Sequence, residues 1–186
     1  MKYLIAGLGN IGSEYELTRH NAGFLVLDRM ADLRQTTFTL NRHAYKTAIR
    51  YKGRSIHLIK PTTYMNLSGK AISYWMKELN VDLSGLLVVV DDVALPFGKL
   101  RMRPRGSTAG HNGLKSIEET LGHNQYARLR FGIGNNFPKG HQVDYVLGRF
   151  TPEELNQIGP VLDKACQMIL TFCTEGIEKA MSLYND

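Results

Sequence analysis

Cysteine is scarce in these 186 residues and long apolar runs are missing, and both absences narrow what the chain can be. The two cysteines, Cys166 and Cys173, stand seven apart in a stretch with helical patterning. That spacing puts them on nearly one helix face but about 10 Å apart along its axis, too far to bridge. They read as small core residues rather than a redox or metal pair. No segment offers the roughly 20 consecutive apolar residues of a membrane span. The N-terminal apolar stretch meets Gly7 too soon for the central region of a signal peptide, which makes the cytoplasm the expected location. The six histidines lack His-Glu-x-x-His spacing and no Cys-x-x-Cys accompanies them, so no metal is expected. A Gly-x-Ser-x-Gly elbow is missing as well, which leaves no sign of a serine nucleophile. Repeats, linkers and low-complexity tracts are absent.

What is present fits one domain with a real core. A chain of this length buries roughly 70% of the surface its unfolded form exposes, and 43% hydrophobic with 22% charged residues is a globular composition. The net charge of +6 favours an anionic partner, but only its distribution can decide whether that partner is a nucleic acid.

The patterning alternates strand and helix. Residues 2 to 7 read as a short buried strand, and a helix begins near Asn21 with Phe24, Leu27, Met30 and Ala31 on one face. Ala44 to Tyr51 and Arg54 to Lys60 make a hairpin around Lys52-Gly53, ended by Pro61. A helix with the stripe Leu67, Ala71, Ile72, Trp75, Met76 and Leu79 follows, with Asn66 at its entrance. Leu86 to Val90 is apolar without alternation, as in a strand covered on both faces, and it stops at Asp91-Asp92. Gly98 to Pro104 and Ala127 to Gly134 alternate, separated by a helix from Gly113 to Leu121 that Asn112 starts. Thr151-Pro152-Glu153-Glu154 is a capping box that launches C-terminal helical structure, with an interruption expected at Gly159-Pro160. The fold class is α/β: a mixed, mostly parallel twisted sheet in a single domain, 1–186, flanked by helices on both faces.

Gly7-Leu8-Gly9-Asn10-Ile11-Gly12 is a literal G-x-G-x-x-G, but no apolar helical stripe starts within it and no acidic residue closes a second strand to hold a ribose. A nicotinamide cofactor is therefore not expected, and the glycines read as freedom for a loop that passes close to a ligand. More telling is where the reactive side chains fall. Asn10 and His20 follow the first strand, Asn66 follows the hairpin, Asp91 ends the apolar strand, and His111-Asn112 precede a helix. Ligands of open α/β sheets bind outside the carboxyl ends of the strands, so these residues can meet in one site. Together they would suit general-base hydrolysis, with a histidine to take a proton from water and a carboxylate to fix its tautomer. A loop histidine is more often structural, and loop asparagines more often cap turns. Lys99, Arg101 and Arg103 share a strand face that Arg105 extends beyond Pro104, and Arg128 and Arg130 repeat the pattern. Such a row is either a solvated face or a phosphate contact.

Five ordered motifs carry a resemblance to a known family. They are Gly9-Asn10-Ile11-Gly12-x-x-Tyr15-x-x-Thr18-Arg19-His20-Asn21-x-Gly23-Phe24; Lys60-Pro61-x-Thr63-Tyr64-Met65-Asn66-x-Ser68-Gly69; Asp91-Asp92 through Leu95-Pro96-x-Gly98; Gly106-Ser107-x-Ala109-Gly110-His111-Asn112-Gly113-Leu114; and Arg128-Leu129-Arg130-Phe131-Gly132-Ile133-Gly134. Together they resemble bacterial peptidyl-tRNA hydrolases from the first strand to Leu147. The resemblance implies hydrolysis of the ester between an N-blocked peptide and tRNA, releasing both after premature dissociation from the ribosome. It makes His20 the base and Asp91 its partner, with Asn10 arranging the attack. Tyr15, Tyr64, Asn66, Gly110, His111 and Asn112 would bind the peptide end, and Arg101, Arg103 and Arg130 the tRNA phosphates. Asn66 and a backbone N–H near Gly110 are candidates for the oxyanion donor. The loop from Asn135 to Gln142 would cover the site. No cofactor, metal, membrane or obligate protein partner is implied, and a monomer is. The sequence departs from the family pattern at Ile11, where proline is usual, at Ala94, where an acid is common, and at Asn136-Phe137-Pro138. Relatives that share the fold include RNA-binding proteins without the activity, so a non-catalytic RNA-binding role is the alternative.

Overall fold

A computed structural model describes residues 1–186. Its strands are β1 (Lys2–Gly7), β2 (Thr39–Asn41), β3 (Ala44–Tyr51), β4 (Arg54–Pro61), β5 (Leu86–Asp92), β6 (Leu100–Arg103) and β7 (Ala127–Gly132). They form one sheet in the order β2-β3-β4-β1-β5-β7-β6. β4, β1, β5 and β7 run parallel at the centre, while β2, β3 and β6 are antiparallel at the margins. The mixed, mostly parallel sheet is the one expected from the apolar run Leu86 to Val90, every residue of which is fully buried.

Six helices follow: α1 (Ala22–Leu33), α2 (Ser68–Leu79), α3 (Asn112–Leu121), α4 (Gln142–Val146), α5 (Pro152–Glu175) and α6 (Ile177–Tyr184). Alternation along β1 and β5 divides the core. Tyr3, Ile5, Leu87 and Val89 face the side packed by α1, α5 and α6, and Leu4, Ala6, Val88 and Val90 face the side packed by α2 and α3. Cys166 and Cys173 are buried and unpaired on α5, and burial pushes each thiol up to about 12.

Three readings need correction. α5 runs through Gly159-Pro160 without a break. Glycine before the proline removes the Cβ clash that usually bars an α conformation there, and the exposed Asn156 leaves its freed carbonyl to water. Lys99 lies just before β6, so the strand's basic face begins at Arg101. The glycines after β1 are packing devices more than ligand contacts. A Cβ on Gly7 would lie 2.3 Å from the Gly23 carbonyl oxygen, and one on Gly23 would lie 2.5 Å from both Leu8 N and the Val89 carbonyl oxygen. Bare backbone at both points lets α1 seat on the ends of β1 and β5, and among these glycines only Gly12 takes a positive φ, 115°.

Candidate active site

Parallel strands send their carboxyl ends to one edge of the sheet, and the reactive residues collect there. The loop from β1 to α1 brings Asn10 and His20, the β4–α2 connection brings Asn66, Asp91 stands in the last turn of β5, and His111-Asn112 open α3. His20 and Asn112 line a cavity of about 270 Å³ with Asn10, Met65 and Asn66, and a neighbouring one of about 400 Å³ with Asp91, Gly110, His111 and Arg130. The two share His20, Asn112, Val143 and Val146.

Asp91 is the hub. Only 4% exposed, its carboxylate accepts from His20 Nδ1 at 2.8 Å through one oxygen and from His111 Nε2 at 2.9 Å through the other. Burial alone would raise this carboxyl, but His111 and His20, by charge and hydrogen bond, hold it below the usual carboxylate range. The second nitrogen of His111 settles its tautomer. His111 Nδ1 accepts from the backbone N–H of Gly113 at 3.1 Å and of Leu114 at 3.4 Å, so it carries no proton and the ring is the neutral Nε2–H form. His111, not Asn112, is thus the residue that caps α3. His20 makes the opposite use of its ring: Nδ1–H is spent on Asp91, and Nε2 is left with its lone pair toward the cavities. Such a ring can take a proton from water.

Asn10 is held just as firmly. Its backbone N–H donates to Asn21 Oδ1 at 2.8 Å, its carbonyl accepts from Asn21 Nδ2 at 2.9 Å, and its side-chain oxygen accepts from Met65 N at 2.7 Å. With the oxygen committed, the NH2 is the end available to a ligand. Asn66 and Asn112 are exposed at the same cavity.

Other expected positions stand apart. Tyr15 and Tyr64 line neither cavity; Tyr64 is 49% exposed with φ of 61°, a conformation that aims it at solvent beside Asn66. The basic residues of β6 and β7 oppose each other, Arg101 with Arg130 and Arg103 with Arg128, and so share one face of the sheet. Arg128 is fully buried with its guanidinium 4.2 Å over the Tyr126 ring, a structural use. Arg101 donates to the Asp186 carbonyl at 2.7 Å, so the chain end occupies part of its fork. Arg130 lines the larger cavity, donating to the Ser107 carbonyl at 3.1 Å, and Arg103 lies beside it on the face.

Several residues at the site carry no signal of their own in the sequence. Arg19 bonds the Tyr145 carbonyl at 3.1 Å and stacks 4.0 Å over that ring, which pins α4 against the loop that carries His20. Val143, Val146 and Leu147, which close the site from above, belong to that short helix and its end. Asn21 reads from the sequence as a helix start, yet it is the bracket for Asn10. As for metals, His20, Asp91 and His111 offer donor atoms within 4.8 Å of one another. Each facing N–H already satisfies a carboxylate oxygen, so the cluster is complete as a hydrogen-bonded unit.

An α/β sheet that presents a histidine base, its carboxylate and unspent amides at the carboxyl edge defines a hydrolase that acts through general-base chemistry. The peptidyl-tRNA hydrolase family profile matches residues 4–186. The chain is 56% identical to the peptidyl-tRNA hydrolase of Cytophaga hutchinsonii, across 100% of this chain and 98% of that one. It is 55% identical to the one from Phocaeicola vulgatus, across 100% and 99%. Its fold superposes on the crystal structure of peptidyl-tRNA hydrolase from Acinetobacter baumannii with a TM-score of 0.91 and 31% identity, covering 98% of this chain and 95% of that one. The chain belongs to the peptidyl-tRNA hydrolase family.

Proposed function

We propose that the chain hydrolyses the ester joining an N-blocked peptide to the terminal ribose of tRNA, with water as nucleophile and His20 Nε2 as the base. The observation that carries this reading is the asymmetric use of the two imidazoles on Asp91. One is locked neutral by the α3 backbone, and the other holds a free lone pair toward the cavity. In the transition state His20 becomes an imidazolium, and the buried Asp91 carboxylate stabilises that charge. Asn10 Nδ2 and Asn66 are donors for the oxyanion, a role that preplaced amides perform without reorganisation. Asn66 and Asn112 also pair with the peptide amide next to the ester. Arg103 and Arg130 hold phosphate, so the tRNA leaves the site toward β6 and β7. The protein acts as a cytoplasmic monomer on this reading.

Selectivity for blocked substrates follows from the donor set. The amides of Asn10, Asn66 and Asn112 suit a neutral peptide group, whereas the one buried carboxylate, Asp91, is spent on two imidazoles and offers a free ammonium no counter-charge. N-acetyl-aminoacyl-tRNA should therefore be cleaved about a hundredfold faster than the same aminoacyl-tRNA with its amine free. A simple ester of the same N-acetyl amino acid should be cleaved far more slowly, because it lacks the phosphate contacts. Comparable rates on all three would point to a general esterase. No release from any of them would leave the RNA-binding alternative.

A further inference from the structure

A third cavity, of about 570 Å³, lies on the other side of Asn10, lined by Ile11, Leu17, Phe24, Leu25, Tyr45 and Lys60 together with the carboxylates of Glu16 and Asp28. The three cavities follow one another. Arg130 belongs to the first, His20 joins the first to the middle one, and Asn10 joins the middle one to the third. Two directions therefore lead away from the ester. The arginine side suits polyanionic tRNA, and the Glu16 and Asp28 side repels it. The peptide is what remains to take the second path.

Lys60 is set up to meet it. Its ammonium sits 4.5 Å from the ring centroid of Phe38, 5.6 Å from that of Phe24 and 5.8 Å from that of Tyr45, and its protein hydrogen bond goes to Asp28. An ammonium has three N–H groups, so two remain for a ligand. Its side chain is 16% exposed, held by aromatic faces instead of trailing into solvent. Around it the lining is apolar.

We propose that this third cavity is a subsite for the peptide residues upstream of the esterified one, with an apolar side chain against Phe24, Leu25 and Tyr45 and a backbone carbonyl on Lys60. The subsite rests on the hydrolase reading and refines it: cleavage efficiency rises with peptide length because residues beyond the first gain contacts past Asn10.

The test compares N-acetyl-aminoacyl-tRNA with N-acetyl-tetrapeptidyl-tRNA carrying the same esterified residue and apolar upstream residues. Native protein should show kcat/KM about tenfold higher on the longer substrate, the gain expected for one apolar side chain taken partly out of water. Tyr45→Ala and Lys60→Gln, on different strands, should each lose most of that gain, chiefly through KM, while keeping the native rate on the short substrate. In a titration with free N-acetylated apolar tetrapeptide, backbone NMR shifts should move at Gly12, Glu16 and Tyr45. Equal efficiency on both substrates with native protein, a length gain retained in both variants, or equal losses on both substrates would overturn the subsite while leaving the hydrolase reading intact. Failure of native protein to cleave the short substrate would instead remove the hydrolase reading and the subsite with it.

Discussion

Replacing His20 with alanine should lower kcat for N-acetyl-aminoacyl-tRNA about a thousandfold or more, with KM within about threefold of native. A loss of that size is about 4 kcal/mol of transition-state stabilisation, the range expected when a positioned base is removed and bulk water must accept the proton. The imidazole makes few ground-state contacts that asparagines and arginines do not duplicate, so substrate affinity should hold. Alanine also leaves Asp91, 4% exposed, with one partner where it had two, which costs about 1–3 kcal/mol of folding stability. His20→Asn separates the two effects. Its amide can still donate to Asp91 from near the Nδ1 position but has no basic nitrogen. The same kinetic loss with a native melting temperature is the expected result, and a His20→Asn protein with near-native kcat would remove His20 from the base role. Steady-state release of labelled N-acetyl amino acid, with thermal melts alongside, measures both.

Asp91→Asn should lose nearly as much, about a hundred- to a thousandfold in kcat, for a reason set by His111. An asparagine side chain has one acceptor and one donor end where the carboxylate had two acceptors. His111 Nε2 must keep its proton, because its Nδ1 faces the N–H groups of Gly113 and Leu114. The amide oxygen therefore turns to His111 and the amide NH2 to His20 Nδ1. His20 must then accept at Nδ1 and carry its proton on Nε2, the wrong tautomer for a base. Near-native kcat in Asp91→Asn would show that the carboxylate does not set the tautomer.

How far the sequence anticipated this site depends on the kind of signal. The parallel centre of the sheet was legible because Leu86 to Val90 has no polar face, and a strand covered on both sides needs none. The gathering of Asn10, His20, Asn66, Asp91 and His111-Asn112 at one edge was foreseeable from their places after strands and before helices, and the five motifs named their chemistry. The direction of each hydrogen bond was not. His111 as the cap of α3 and as the lock on Asp91 depends on which ring nitrogen meets the helix N-terminus, and no spacing in the chain encodes that. Arg128 and Arg130 look equivalent at i, i+2, yet one is buried over Tyr126 and the other lines a cavity. The edge strand β2 and the short helix α4 escaped because three and five residues are too few to display a period. Pro160 misled because a local breaker was outweighed by the apolar stripe Ile158, Leu162, Ala165 and Ile169 packing against α1 and the sheet.

The central claim is that Asp91 serves catalysis through His20 and not by a contact of its own with substrate. The double variant His20→Ala/Asp91→Asn tests it most directly, by single-turnover cleavage of N-acetyl-aminoacyl-tRNA under saturating enzyme. Two residues acting as one unit should give a double variant no slower than His20→Ala, within about twofold. Losses that multiply, with the double variant a further hundredfold or more below His20→Ala, would contradict the claim.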